Sequence, residues 1–279
     1  MGSGSFLSSS FAAYSTSLGR SYDTTTGRVT GQTYTARRID ENMKPYNVMR
    51  ECCNTEEHPN TIPVILALDV TGSMGSACKE TAEALGTIMS DLYEKFKDVQ
   101  IMVMGIGDLA YDDAPIQISQ FESDVRIAEW LDKIWIEFGG GGNSYESYSA
   151  AWYMGLYHTK LDAFDKQGRK GIIITMGDEP MNPYLPGRYI TKFVGDPCQG
   201  DIDTKELYNN AYEKFDIYHI AVSDKSSYRM YKKEIQNSFG QLLGDRLKVS
   251  TINELGNTIC DCIEDSVKSK KVNNNEISW

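Results

Sequence analysis

Three oxygen-bearing side chains stand at alternate positions in one short segment, Asp69-x-Thr71-x-Ser73. A carboxylate and two hydroxyls at this spacing can bind a hard divalent cation, because Mg²⁺ and Ca²⁺ take oxygen ligands and Mg²⁺ keeps several bound waters. The segment directly follows the continuous apolar run Val64–Leu68, which is typical of a strand buried on both faces. A cation site is therefore predicted at the end of this strand, and a solvated polar turn is the alternative.

A second acidic segment follows another apolar run, in the second half of the chain. Gly171–Thr175 predicts a buried strand, and Met176-Gly177 leads from it to Asp178 and Glu179. In an open parallel sheet, ligands bind beyond the carboxyl ends of the strands. Asp178 is therefore a candidate metal ligand, with Glu179 as a less favoured substitute. An acid that serves only in a turn or a helix cap is the alternative.

A glycine-rich segment, 139–142, lies between these two regions. Four glycines let the backbone approach a ligand closely, and they are not followed by the Gly-Lys-Ser/Thr of a phosphate-binding loop. The segment is therefore a candidate ligand-binding loop, and a merely flexible loop is the alternative. Glu146 is expected to begin a helix, where the helix dipole favours an acid. Gly141, Gly142, Glu146 and Glu179 are expected at the rim of the site.

Predicted strands and helices alternate along the chain. Strands are predicted at Val64–Leu68, Val99–Ile106, Ile116–Ser119, Gly171–Thr175, Ile217–Val222 and Leu247–Val249. Helices are predicted at Ala77–Phe96, Val125–Trp135, Glu146–His158, Tyr228–Leu242 and Ile252–Val267. This alternation predicts an α/β, Rossmann-like fold with a mostly parallel central sheet and helices on both faces. Trp130, Trp135 and Trp152 lie at helical spacing and are expected in the core.

The intact pattern of Asp69, Thr71 and Ser73 after a buried strand resembles the metal-ion-dependent adhesion site of von Willebrand factor A domains. The resemblance, to intracellular bacterial and phage members, extends over about residues 63–267 in the order of elements. It implies that Asp178 is the aspartate of the third loop. The family usually has a threonine in the middle loop, where this chain offers Ser144 or Asn143.

The same resemblance implies a function. The bound Mg²⁺, or alternatively Mn²⁺ or Ca²⁺, is left one ligand short, and an acidic side chain of a protein partner completes it. The partner would then contact the rim residues Gly141, Gly142, Glu146 and Glu179. Some members work beside a ring-forming AAA-type ATPase. The chain is accordingly predicted to be a non-enzymatic, metal-dependent protein-binding module.

The composition argues against nucleic acids and membranes as partners. Lys and Arg number 28 against 39 Asp and Glu, for a net charge of −11, which disfavours binding to nucleic acids and to anionic membranes. No apolar run approaches the roughly 18 residues of a spanning helix, and no secretory signal is recognised. The six cysteines include no C-x-x-C pair and are expected to be reduced thiols. A cytoplasmic location is expected.

Three segments are predicted: a polar N-terminal arm at 1–60, the A-type domain at 61–268 and a polar tail at 269–279. The arm is either flexible or wraps the domain or a neighbouring subunit, so it could support an oligomer. Two other functions stay open. One is a metal-assisted phosphohydrolase, which usually needs a second aspartate where Thr71 stands. The other is an assembly protein with a vestigial metal site.

Two further groups of residues are weaker candidates. Asp108, Asp112 and Asp113 could carry a second cation or form a solvated acidic loop. Tyr184, Tyr189 and Phe193, in the insert at 181–197, could form a partner surface or simply pack the insert against the domain.

Overall fold

A computed structural model describes residues 4–137 and 145–275, with only the helical backbone for 269–275. The helices are α1 Ser8–Ser17, α2 Gly75–Lys95, α3 Arg126–Lys133, α4 Ser149–Tyr157, α5 Asp162–Asp165, α6 Gly187–Phe193, α7 Thr204–Lys214, α8 Ser226–Leu243 and α9 Leu255–Asn275. The strands are β1 Ser21–Tyr22, β2 Val29–Thr30, β3 Arg50–Cys52, β4 Ile62–Asp69, β5 Val99–Ile106, β6 Ile116–Glu122, β7 Thr159–Leu161, β8 Gly171–Gly177, β9 Tyr184–Leu185, β10 Ile202–Asp203, β11 Phe215–Val222 and β12 Leu247–Ser250.

Six strands form the central sheet, in the order β12-β11-β8-β4-β5-β6. All neighbouring pairs are parallel except β5 and β6, which are antiparallel. The prediction of an α/β fold with a mostly parallel sheet is confirmed. From β4 the chain proceeds to β5 on one side and reaches β8 on the other, so the connections diverge between β4 and β8.

Both faces of the sheet are covered. On β4, Val64, Leu66 and Leu68 face a core shared with α2, α3 and α9. Ile65 and Ala67 face the opposite core, which includes residues of α4, α7 and α8. This burial on both sides explains why the strand is a continuous apolar run rather than an alternating one.

Several element boundaries differ from the sequence prediction. Strand β8 continues through Met176 to Gly177, so Asp178 directly follows the strand. Helix α4 begins at Ser149, so the expectation that Glu146 begins a helix is wrong. Helix α7 was not predicted, because few of its residues are apolar. Helix α9 continues to Asn275, past the predicted start of the polar tail.

The N-terminal arm packs on its own domain, which favours the wrapping alternative over a flexible tail. Its helix α1 buries Phe11, whose ring lies so close to Gly86 of α2 that an added Cβ there would overlap it. Arg20 donates two hydrogen bonds to the Asp132 carboxylate, of 2.8 and 2.5 Å. The phenol of Tyr34 donates to the carbonyl of Cys78 on α2 (3.0 Å). The arm therefore covers the outer side of the helix that follows the candidate site.

Replacing Phe11 with alanine is expected to lower the free energy of unfolding by about 3–5 kcal/mol, the usual cost of emptying a buried phenylalanine position. Urea unfolding of the full chain measures the change. Leu7, which is 57% exposed on the same arm, is the control, and Leu7→Ala is expected to change stability by less than about 0.5 kcal/mol. An equally small effect of Phe11→Ala would show that the arm is not part of the folded unit.

Other expectations have mixed outcomes. All six cysteines are free thiols, as predicted. Trp152 is fully buried, as expected, but Trp130 of α3 is only half-buried, and so is Trp135, which follows the end of α3 at Lys133. Within the described part of the chain, no helix is long and apolar enough to cross a bilayer.

Candidate functional site

Asp69 and Asp178 lie at the carboxyl ends of two adjacent parallel strands. Asp69 is the last residue of β4, and Asp178 directly follows β8, which pairs with β4 in register Leu68 to Met176. The chain connections diverge between these strands, which is the place where open α/β sheets form ligand crevices. The topology therefore brings together two carboxylates that are 109 positions apart in the sequence.

The first loop is folded around the carboxylate of Asp69. The backbone N–H and the hydroxyl of Thr71 both donate to Asp69 Oδ1, at 2.9 and 2.6 Å. The Thr71 and Ser73 hydroxyl oxygens lie 3.3 Å apart. Because the Thr71 proton points to Asp69, its oxygen lone pairs stay available to a further partner.

The loop after β8, which carries Asp178, joins this arrangement through the hydroxyl of Ser73. Ser73 Oγ donates to Asp178 Oδ1 at 3.0 Å. The other oxygen, Asp178 Oδ2, is buried and has no hydrogen-bond partner among the described residues. Ser73 is exposed, whereas Asp69 and Asp178 are buried, so the group opens to solvent at Ser73.

The structure thus brings together four of the six predicted metal ligands, Asp69, Thr71, Ser73 and Asp178. Among the described residues, no three His, Cys, Asp or Glu side chains are close enough to hold an ion by themselves, so any ligand set here must include the two hydroxyls. Such a mixture of carboxylate and hydroxyl oxygens suits Mg²⁺. Asn143, Ser144, Gly141 and Gly142 lie outside the described residues, and their roles stay predictions.

Tyr148 holds the carboxylate of Asp69 in place, a role that was not predicted from the sequence. Its hydroxyl donates to Asp69 Oδ2 at 2.7 Å, and its ring is fully buried against His219 and Phe239. A Cβ on Gly177 would overlap the Tyr148 hydroxyl and ring. Gly177 is therefore required for the tyrosine to reach Asp69. A glycine just before the strand-end aspartate was the one signal that could have indicated this close approach.

The two acidic residues assigned to the rim differ in their positions. Glu179 follows Asp178 and is half-buried. Glu146 is only 7% exposed, and its backbone N–H donates to the carbonyl of Pro180 at 3.2 Å. Glu146 is therefore buried beside the site and does not lie on an exposed rim. A β-bridge to Met181 holds its backbone against the loop after β8.

Burial makes the charged forms of these carboxyls unfavourable. It raises the pKa of Asp69 to about 7, although the hydrogen bonds from Thr71 and Tyr148 lower it again in part. Burial and the neighbouring Asp178 raise the pKa of Glu179 to about 7. Burial, followed by the charge of Asp69, raises the pKa of Glu146 to about 11. A bound cation would reverse these effects, because it stabilises the ionised forms.

In the presence of a chelator, the fold is expected to lose stability as the pH rises. Carboxyls of the unfolded chain ionise near pH 4, whereas Asp69, Glu146 and Glu179 keep their protons to higher pH. The stability that they contribute is lost between about pH 4 and 7 for Asp69 and Glu179, and the loss continues above pH 7 for Glu146. Buried His219, whose pKa is lowered to about 3, opposes this trend below about pH 6.5, but it is one group against three.

Thermal unfolding in EDTA at about pH 5.5 and 7.5 measures this slope, and each kcal/mol of stability corresponds to roughly 2–4 °C. Added Mg²⁺ is expected to flatten the slope. A melting temperature that rises with pH in EDTA would contradict the assignment of these pKa shifts.

The weaker candidates have local roles. Asp108 Oδ1 accepts from the N–H of Ala110, and Asp112 Oδ2 accepts from the N–H of Asp108, both at 2.7 Å. These acids are tied into their own loop, although Asp108 is buried rather than solvated. Tyr189 and Phe193 pack against the core of the domain, whereas Tyr184 is 54% exposed.

Comparison with known proteins shows a likeness of fold. No protein-family model matches the chain, and a search of curated proteins found no match. The open-conformation crystal structure of the pilus adhesin SpaC from Lactobacillus rhamnosus GG is similar, with a TM-score of 0.50 and 10% identity over 82% of this chain and 33% of that chain. A second crystal structure of SpaC gives a TM-score of 0.49 and 10% identity, over 82% of this chain and 34% of that one.

Proximal thread matrix protein 1 from the mussel byssus gives a TM-score of 0.47 and 12% identity, over 74% of this chain and 48% of that chain. The chain spans about a third of the length of the SpaC structures. At this identity the likeness shows the fold alone. The shared fold is an α/β domain, with a mostly parallel six-stranded sheet in this chain.

Proposed function

We propose that this chain is a non-enzymatic binding module that captures an acidic side chain of a protein partner through a divalent cation. Asp69, Thr71, Ser73 and Asp178 would hold the cation, Mg²⁺ first and Mn²⁺ or Ca²⁺ as alternatives. The observation that carries the proposal is the convergence of these four side chains, with one buried Asp178 oxygen left without a hydrogen-bond partner among the described residues.

The arrangement suits recognition of a carboxylate. Two of the four ligands are neutral hydroxyls, so they offset less of the cation's charge than four carboxylates would, which favours an incoming carboxylate. Thr71 and Tyr148 hold both oxygens of Asp69 in place, and the exposed Ser73 marks the side from which a partner can approach.

The fold comparison supports a binding role, since SpaC is described as an adhesin. The phosphohydrolase alternative gains no support, because the hydroxyl of Thr71 bonds Asp69 where such enzymes usually place a second carboxylate. A ring-forming AAA-type ATPase is the first partner to test, on the strength of the family resemblance alone.

Affinity capture from the native host tests the proposal. The full chain is used as bait in Mg²⁺ and in EDTA, beside a Ser73→Ala bait. We expect a partner that is retained in Mg²⁺, lost in EDTA, and bound at least about tenfold more weakly by the variant, which corresponds to 1.4 kcal/mol. Substitution of the partner's acidic residues should locate the one that binds. A partner that stays bound in EDTA would refute the mechanism.

A further inference from the structure

Glu146 has a buried carboxylate, but it is not one of the four proposed metal ligands, so the proposed function gives it no role. The residue is 7% exposed, and its Oε2 atom has no hydrogen-bond partner among the described residues. A buried carboxylate oxygen without a partner opposes folding, because it loses its hydration and gains no hydrogen bond in return. Such a group is expected where a ligand later supplies the missing partner.

The backbone around Glu146 is held on two sides. Its N–H donates to the Pro180 carbonyl, two residues beyond Asp178. The hydroxyl of the next residue, Ser147, accepts from the N–H of Leu109 at 3.1 Å, in the loop that follows β5. Two residues further on, Tyr148 bonds Asp69. Glu146 is thus placed between the loops of three neighbouring strands, next to the candidate ligands.

The charges around Glu146 are mainly negative. Among the surrounding charged groups, Asp69 acts on Glu146 most strongly, followed by Asp112, Glu179 and Asp108. On the other side, Lys225 bonds the hydroxyl of Ser76 and its charge stabilises ionised Asp178. A divalent cation bound between these groups would therefore relieve the repulsion among the carboxylates.

We infer that Glu146 is the third carboxylate of the cation site, and that it accepts a hydrogen bond from water bound to the cation. The inference rests on the proposed function, since it requires a cation to bind. Direct ligation by Glu146 is not part of it, because no three acidic side chains in the described part of the chain are close enough to share an ion. Glu146 thereby sets cation affinity, and it does not act as a partner-binding residue of the rim.

Calorimetric titration with Mn²⁺ alone tests this role on the full, metal-free chain. Glu146→Gln keeps the size of the side chain and removes its charge, and we expect it to weaken Mn²⁺ binding by roughly 10–100-fold, the usual effect of losing a group that supports metal ligands. In EDTA the variant should melt no lower than the wild type, because the buried carboxyl is gone. If the amide variant fails to fold, Glu146→Met offers a similar length without polar atoms.

Glu122 provides a matched control. It is also buried, at 3% exposure, although its Oε2 forms an ion pair with Arg126 at 3.1 Å. It lies opposite Ile101 near the start of β5, at the other edge of the sheet. Glu122→Gln is expected to leave Mn²⁺ affinity within about twofold, since distant sites act independently.

The outcomes separate the two proposals. If the wild-type chain binds Mn²⁺ and Glu146→Gln binds it within about twofold of the wild type, a difference too small for a supporting group, the role of Glu146 is overturned and the proposed function stands. If the wild-type chain binds no Mn²⁺, both fall.

Discussion

Replacing Asp69 with asparagine is expected to weaken divalent-cation binding at least about 100-fold, which corresponds to about 2.8 kcal/mol. The amide keeps an oxygen for the Thr71 hydroxyl and a polar group near Tyr148, so the loop can keep its shape. What the variant loses is one of the two carboxylates among the four proposed ligands. Calorimetry with Mg²⁺ or Mn²⁺ measures the loss directly.

The stability of the same variant without metal should change in the opposite direction. Asparagine carries no charge, so Asp69→Asn should unfold at the same temperature as the wild type or higher in EDTA near neutral pH. In excess Mg²⁺ the wild type should be the more stable of the two, because only its folded form gains binding energy. The exposed Asp245 is the control, and Asp245→Asn should change neither quantity. Cation affinity of Asp69→Asn within tenfold of the wild type would show that Asp69 is not a ligand.

Replacing Gly177 with alanine is expected to cost about 3 kcal/mol or more of folding stability, at the upper end for overpacked sites. The added methyl group would overlap the ring of Tyr148, which is fully buried and cannot swing away. Any shift of the ring breaks its hydrogen bond to Asp69, so cation binding should be lost together with stability. Urea unfolding and Mn²⁺ titration measure the two effects.

Gly75 is the matched control for this substitution. It lies at the start of α2, close to the candidate site, and a Cβ there would meet nothing within 4 Å. Gly75→Ala is therefore expected to be neutral or to stabilise the chain by about 0.4–1 kcal/mol, since alanine restricts the unfolded chain. If Gly177→Ala were as mild as Gly75→Ala, the close packing of Tyr148 under Asp69 would be wrong.

Much of the fold could be predicted from the sequence, because its main strands are buried on both faces. Such strands are continuous apolar runs, and β5 was predicted with the bounds that the structure has. The order of strands and helices then placed Asp69 and Asp178 at one edge of the sheet. Helix α7 was missed because the pattern of its apolar residues is short, with Leu207, Tyr208 and Ala211 buried among polar neighbours.

The supporting residues of the site could not be predicted in the same way. Tyr148 and Gly177 act through a contact between the start of α4 and the end of β8, and the glycine before Asp178 was the one sign of it in the sequence. Glu146 was placed on a helix because its neighbours have helical character, yet a backbone bridge to Met181 holds it outside that helix. The arm was expected to lack regular structure because its apolar residues are few, although several of them, including Phe6, Phe11 and Val29, are buried.

Anomalous diffraction from crystals grown with Mn²⁺ is the most direct test that the two strand ends hold one cation. We expect a single strong peak that lies roughly 2.0–2.6 Å from the Ser73 hydroxyl oxygen and from at least one Asp178 carboxylate oxygen, which is the range of hard-cation coordination. The peak should be absent in Asp69→Asn crystals. A peak only in the loop of Asp108 and Asp112, or no peak at saturating Mn²⁺, would contradict the account.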